Sequence, residues 1–245
     1  MTSSASDDAQ LDAARSLLSS ARSITAFTGA GLSAESGVAT FRSSEGHGLW
    51  AQYDPTRLAS PEGFAEDKQL VMDWYAMRRR QIAAAEPNAA HRALAARSDV
   101  VNVTQNVDDL LRRAGAADPI QVHGRIDLDR CHGGCGYRET IDLHDPPPLR
   151  CCPECGADLR PGVVWFGEML DPQVWDAAER AWLGCDTVLV VGTSAVVYPA
   201  AGLIGLAQSA GARVIIVNPE ASGASALADV EIRSTAATIL PRLLG

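Results

Sequence analysis

The chain has 245 residues, 47% of them hydrophobic, with 21 Lys and Arg against 30 Asp and Glu and a formal net charge of −9. That length allows one large domain with a smaller insertion and burial of roughly 70–75% of the unfolded surface. The acidic balance, whose longest basic run is Arg78-Arg79-Arg80, argues against nucleic acid as a partner, and no apolar stretch reaches the roughly 20 residues needed to span a bilayer. The first ten residues are polar and acidic with no apolar leader core, so a soluble, cytoplasmic protein without a membrane partner is expected.

Apolar residues Leu11, Ala14, Leu17 and Leu18 recur at helical spacing and predict a helix over 12–20. The apolar run 24–27 then reads as a buried strand that passes through Gly29-Ala30-Gly31 into a helix N-terminus. Two glycines one residue apart permit a tight reversal and close approach of a ligand, and the first helical N–H groups suit a pyrophosphate. The third glycine of a dinucleotide fingerprint comes late, at Gly37, so an ordinary dehydrogenase is not the best reading.

Residues 41–58 show no sustained period and read as a long ordered loop, the kind that is usually functional. Residues 61–85 read as one helix with Phe64, Leu70, Val71, Trp74, Tyr75 and Ile82 on its apolar face, stopped by Pro87. A short helix over 91–96, a strand over 100–104 and a strand over 119–124 follow. Residues 130–159 change character, with cysteines, glycines and Pro146-Pro147-Pro148, and read as an insertion with its own stabiliser. Beyond it come a helix over 172–182, a strand over 187–191, a helix over 199–209, a strand over 214–217 and a helix over 238–243. The alternation implies an α/β fold, a Rossmann-like parallel sheet with helices on both faces, plus a smaller zinc-binding and helical domain. Residues 1–40, 88–124 and 163–245 are assigned to the first part and 41–87 and 125–162 to the second.

Cys131-x-x-x-Cys135-Gly and Cys152-x-x-Cys155-Gly lie 16 residues apart and read as the halves of one structural zinc site, with all four thiolates as ligands and no position left for water. The first half is one residue longer than usual, which leaves His132 as an alternative to Cys131, and Cys151 raises a similar ambiguity in the second half. Gln105, Asn106 and Asp108 end a strand where ligands of open sheets bind, although capping of the next helix explains one of the last two as well. His123, after an apolar strand and before a glycine, suits general base work.

Taken in order, Gly29-Ala30-Gly31-Leu32-Ser33-Ala34-Glu35-Ser36-Gly37-Val38-Ala39-Thr40-Phe41-Arg42, Thr104-Gln105-Asn106-Val107-Asp108, His123-Gly124, the cysteine pairs, Val163-Val164-Trp165-Phe166-Gly167-Glu168, Gly192-Thr193-Ser194 and Val217-Asn218-Pro219 resemble the sirtuins. The resemblance implies an NAD-dependent protein-lysine deacylase that yields nicotinamide and O-acyl-ADP-ribose. It implies His123 and Asn106 as catalytic residues, with His123 taking a proton from a ribose hydroxyl. NAD, as co-substrate, is assigned to Gly29, Ala30, Gly31, Ser33, Glu35, Phe41, Arg42, Gln105, Asn106 and Asp108, and to Gly192, Thr193, Ser194, Asn218 and Ala236. Val164, Phe166 and Gly167 are assigned to the substrate peptide, expected to pair through its backbone. Partners are acylated lysines of proteins, and the chain itself is expected as a monomer or weak oligomer. A mono-ADP-ribosyltransferase and a non-catalytic NAD and zinc scaffold are the alternatives.

Tyr75 and Arg78, three apart on a helix, share a face and can enter one pocket, where a guanidinium would bind a carboxylate that succinyl- and malonyl-lysine carry and acetyl-lysine lacks. The pair is similar to the mark of desuccinylase-type sirtuins. The competing reading puts Arg78 on a solvated cationic face with Arg79 and Arg80.

Overall fold

The computed structural model describes residues 3–41 and 49–245. Helix α1 (Ser3–Ser20) leads into β1 (Ile24–Thr28), a single turn α2 (Gly31–Ala34), and three short helices, α3 (Leu49–Gln52), α4 (Pro55–Leu58) and α5 (Pro61–Glu66). The longer α6 (Lys68–Ala84) and α7 (Ala89–Ala95) precede β2 (Val100–Thr104), α8 (Leu110–Arg113), β3 (Ile120–Gln121) and β4 (Gly124–Cys131). After β5 (Arg138–Thr140) and β6 (Leu159–Val163) come α9 (Pro172–Leu183), β7 (Thr187–Val191), α10 (Gly202–Ser209), β8 (Arg213–Val217), β9 (Val230–Ile232) and α11 (Ala236–Leu244).

Six strands form one sheet in the order β3-β2-β1-β7-β8-β9, and every neighbouring pair is parallel. Strand order reverses between β1 and β7, so the C-terminal ends of these two strands open a crevice, the place where such sheets take ligands. Both strands are buried along their whole length. Their side chains alternate between two cores. Ile24, Leu189 and Ile215 pack with Leu11, Leu18, Leu94 and Leu240 on one face, while Phe27, Val188 and Ile216 pack with Trp182, Leu203 and Ile204 on the other. Each such large apolar side chain contributes about 1.5–3 kcal/mol when fully buried.

The inserted strands form a separate antiparallel sheet in the order β5-β4-β6. It shares a third core with the helical segment, in which Phe64, Val71, Trp74 and Ile82 meet Ile126, Val163 and Trp165. A fully buried ion pair between Arg79 and Asp129, 2.6 Å apart, fastens α6 to β4, and the same guanidinium donates to the Ile126 carbonyl at 3.0 Å. Removing Asp129 would leave the buried Arg79 charge unpaired, at a cost of about 3–5 kcal/mol, whereas Asp129 keeps a second partner in Arg150 at 2.6 Å.

Several expected elements differ. The helix expected over 61–85 is two, because the Asp67 backbone (φ −147°, ψ 83°) leaves the helical region and its carboxylate accepts from the Leu70 N–H at 3.0 Å, capping α6. The strand expected over 119–124 shrinks to Ile120–Gln121, and part of the segment expected as a loop over 41–58 holds α3 and α4. β9 has no counterpart in the sequence reading. Among the described residues no helix is long and apolar enough to cross a membrane.

Candidate active site

At the crevice the loops after β1 and β7 touch main chain to main chain. The Gly29 N–H donates to the Val191 carbonyl at 3.0 Å and the Gly31 N–H to the Gly192 carbonyl at 2.8 Å. A Cβ on Gly31 would lie 2.6 Å from the Cα of Gly192, and one on Gly192, whose φ is +59°, would lie 2.6 Å from the Leu32 nitrogen. The glycines are therefore needed for loop to approach loop, in addition to the tight reversal and ligand approach expected of them, and the first helical amide, that of Gly31, is spent on that contact. Helix α2 is a single turn, after which Gly37 adopts φ +84°.

Glu35 and Ala236 lie where α11 begins. Glu35 accepts from the Ala237 N–H at 2.7 Å and from the Thr235 hydroxyl at 3.0 Å, so its carboxylate caps a helix whose own N-cap side chain makes no such bond.

Behind the crevice runs a buried polar chain. Asn88 N–H donates to Nδ1 of His91 at 3.2 Å, so the proton sits on Nε2, 3.3 Å from the Ser33 hydroxyl. Ser33 donates to Asp108 at 2.9 Å and accepts from the Asn106 amide at 3.2 Å. Burial drives the His91 pKa down to about 4, so the imidazole is neutral, and burial raises the Asp108 carboxyl against the opposing Ser33 hydrogen bond. Asp108 also accepts from the Leu110 N–H, the first of α8, at 3.1 Å, although the N-cap position itself is Asp109, whose side chain makes no cap bond. Gln121 donates to the carbonyls of Asn106 and Asp108 at 3.0 and 2.8 Å, and Gln105 donates to the Thr193 hydroxyl at 2.8 Å. With its own N–H donating to the Thr104 hydroxyl at 3.0 Å, Asn106 is held by Ser33, Gln121 and Thr104.

Nδ1 of His123 lies 3.1 Å from the Gln105 carbonyl. A carbonyl only accepts, so Nδ1 carries the proton and Nε2 keeps its lone pair. Burial lowers the His123 pKa below its ordinary value, against the bond to Gln105, which raises it. The ring is a neutral base at pH 7.

The far end of the cavity is made of side chains. Arg78 is 2% exposed, so the solvated-face reading fails for it, as it does for buried Arg79. Arg78 donates to Gln81 at 3.2 Å and lies over the Phe41 ring, 5.7 Å from its centroid. Among the described residues no carboxylate stands within ion-pair distance of it. Burial pulls its pKa down, opposed by Asp108 and then by Tyr75 and Tyr53. The Tyr75 hydroxyl accepts from the Trp165 indole at 3.0 Å, and burial pushes its pKa well up, so it stays neutral. Along the segment after β6, the N–H groups of Val164, Trp165 and Phe166 go to the His123 carbonyl, the Glu168 carboxylate and the Ala59 carbonyl at 2.9, 2.9 and 2.8 Å. Those donors face the protein, and the Trp165 carbonyl is taken by the Glu168 N–H at 3.0 Å, so the segment keeps few main-chain groups for the peptide pairing expected from the sequence.

One cavity of about 730 Å³ gathers most of the expected residues. Gly29, Ala30, Gly31, Glu35, Phe41, Gln105, Asn106 and His123 line it, as do Gly192, Thr193, Ser194, Asn218 and Ala236. Tyr75, Arg78, Val164, Phe166 and Gly167 complete the wall. Ser33 and Asp108, expected at the ligand, do not line it and act through Asn106 instead. Arg42 lies outside the described residues. Trp74, Trp165, Glu168 and Tyr198 also line the wall; the sequence reading gave Trp165 and Glu168 only a place in the run 163–168 expected to pair with the peptide, gave Trp74 only an apolar helix face beside Tyr75, and assigned Tyr198 nothing.

Away from the cavity, the ligand sulfurs of Cys131, Cys135, Cys152 and Cys155 lie within 4.8 Å of one another. Zinc–sulfur bonds of about 2.3 Å in a tetrahedron put neighbouring sulfurs just under about 4 Å apart, so one zinc fits, with no open position. His132 instead packs edge-on against Phe64, 5.1 Å between centroids, and exposed Cys151 is outside the cluster.

Residues 29–199 match the Sir2 family. NAD-dependent protein deacylases of Ralstonia nicotianae and Thermococcus kodakarensis are each 46% identical, the first over 100% of this chain and 100% of its own, the second over 94% and 93%. A solved Sir2 homolog in complex with NAD is 40% identical and superposes with a TM-score of 0.88 over 95% of this chain and 92% of its own. A Sir2 homologue with a serine-to-alanine change, in complex with ADP-ribose, is also 40% identical, with a TM-score of 0.89 over 95% and 94%. Fold, cavity, cysteine cluster and these relatives agree, and the chain belongs to the Sir2 family.

Proposed function

We propose that the chain is an NAD-dependent protein-lysine deacylase that removes succinyl and malonyl groups in addition to acetyl. The observation that carries the acidic-acyl preference is Arg78: a buried guanidinium on the cavity wall with no carboxylate partner among the described residues. A lone buried cation is costly, and a carboxylate arriving with the substrate offsets that cost with paired, charge-assisted hydrogen bonds. Tyr75, neutral and beside it, supports the same end.

NAD supplies the ribose carbon that accepts the acyl oxygen as nicotinamide departs. The loops bearing Gly29 to Gly31 and Gly192 to Ser194 would hold its phosphates and adenosine half, with Asn218 at the far end, and Gln105 and Asn106 would hold the nicotinamide ribose. Nε2 of His123 takes the proton of a ribose hydroxyl, which frees that oxygen to attack the acyl carbon. Gln105, through its carbonyl, fixes the tautomer that makes this transfer possible. Asp108, Ser33 and neutral His91 hold Asn106 in place and exchange no proton with substrate. The zinc is structural, since its four thiolates close the coordination sphere. In this reading residues 1–40, 88–124 and 163–245 carry the dinucleotide, and 41–87 with 125–162 carry the acyl pocket and the metal.

Incubation with NAD and matched acetyl-, malonyl- and succinyl-lysine peptides tests the proposal by mass spectrometry. Free lysine peptide, nicotinamide and O-acyl-ADP-ribose appear in equal amounts, fastest for the acidic acyl groups. ADP-ribose fixed to protein without release of free lysine would contradict it.

A further inference from the structure

Three groups, Arg130, Arg160 and the Trp165 N–H, converge on the Glu168 carboxylate. Arg130, which directly precedes the cluster residue Cys131 on β4, donates through Nη2 to both oxygens at 3.0 and 2.9 Å. Arg160 of β6, almost wholly buried, donates to Oε1, and its guanidinium lies over the Trp165 ring, 3.8 Å from the centroid. The Trp165 N–H donates to Oε2 at 2.9 Å, and the Glu168 N–H returns to the Trp165 carbonyl at 3.0 Å. These bonds close a four-residue turn whose third member, Gly167, has φ +84°, the position where such turns take glycine. From the same residue the Trp165 indole reaches across to the Tyr75 hydroxyl at 3.0 Å. A continuous run of bonds therefore joins the cysteine-bearing sheet to the cavity wall at Tyr75, and among the described residues it includes no hydrogen bond to the glycine loops at the crevice.

We infer that Glu168 is a positioning residue for the acylated lysine: clamped by Arg130 and Arg160, it sets the turn from Trp165 to Gly167 and, through Trp165, the placement of Tyr75. The inference rests on the deacylase reading of this cavity and adds to it a residue that acts without touching the reacting atoms. The clamp needs two acceptor oxygens. One faces Arg130, Arg160 and no free donor of its own, and the other faces Arg130 and a main-chain N–H, so both must accept at once. A glutamine of the same volume would turn a donor toward donors and leave a buried guanidinium short of its partner.

The test uses the full-length, zinc-loaded protein and separates the two substrates. Glu168→Gln raises the KM for succinyl-lysine peptide by roughly tenfold or more while the KM for NAD stays within about twofold. Arg130→Met, which leaves Arg160 on the carboxylate, shows the same split with a smaller rise. A purely structural role would lower the active fraction and leave both KM values alone. An unchanged peptide KM, or equal rises for peptide and NAD, overturns the inference, and if Glu168→Gln does not fold, Arg130→Met decides by the same criterion. Wild-type protein that turns over no acylated peptide would overturn the deacylase reading and this inference with it, whereas active wild type with unsplit variants sinks this inference alone.

Discussion

The two ends of the cavity are built of different material. Near the crevice the wall is main chain against main chain, with Gly31 and Gly192 so close that any Cβ would meet backbone at 2.6 Å. At the far end the wall is side chain, with the Trp165 indole bonded to the Tyr75 hydroxyl and Arg78 over the Phe41 ring. Backbone contact of that kind has no room for variation and preserves one cofactor geometry. Side chains can be exchanged for others of similar volume at modest cost, so in the function proposed above the same scaffold could change which acyl group it accepts while its chemistry stays fixed.

The largest effect is expected at the crevice. Gly31→Ala forces a methyl into the Gly192 backbone, and neither loop can yield without losing the 2.8 Å bond between them. Thermal denaturation is expected to show a loss of roughly 2–4 kcal/mol, and calorimetry a loss of NAD binding. Wild-type melting and NAD affinity would show that the contact is soft and that the contrast between the two ends is false. Next comes His123→Ala, which removes the only lone pair assigned to proton transfer and is expected to lower kcat for every acyl group by about 10²–10⁴. The wild-type pH profile should agree. Burial holds the His123 pKa below 6.5, and the neutral ring is the base, so kcat/KM stays flat as pH falls through 6.5 and drops only below it. A limb centred above 6.5 would mean that the charged ring is the favoured form in the site.

Much of this was readable before any coordinates. Strand β7 begins and ends where its apolar run does, because a strand buried on both faces has no polar alternation to blur it. Strand β9 was invisible, since Val230–Ile232 is three residues with a glutamate in the middle and gains its place only by pairing with β8. The break at Asp67 was lost to a helical period that continues on both sides of it. At the site, motif residues came out on the cavity wall, yet their jobs were not all legible. Glu35 reads as a ligand and caps α11; Ser33 and Asp108 read as ligands and support Asn106 from behind. Those roles depend on partners 73 to 202 residues away in sequence, which no local pattern encodes. Arg78 was ambiguous for the opposite reason, because a run of three arginines looks solvated until helix packing turns two of them inward.

The smallest change is also the most direct test of the contrast, because Arg78→Met alters only the acyl end. Kinetics on matched succinyl- and acetyl-lysine peptides at saturating NAD should show kcat/KM for the succinyl peptide falling by roughly 10- to 100-fold, the worth of one charge-assisted pair, with the acetyl rate held or raised. Equal losses on both peptides, or no loss on the succinyl peptide, would contradict the assignment of acyl choice to this guanidinium.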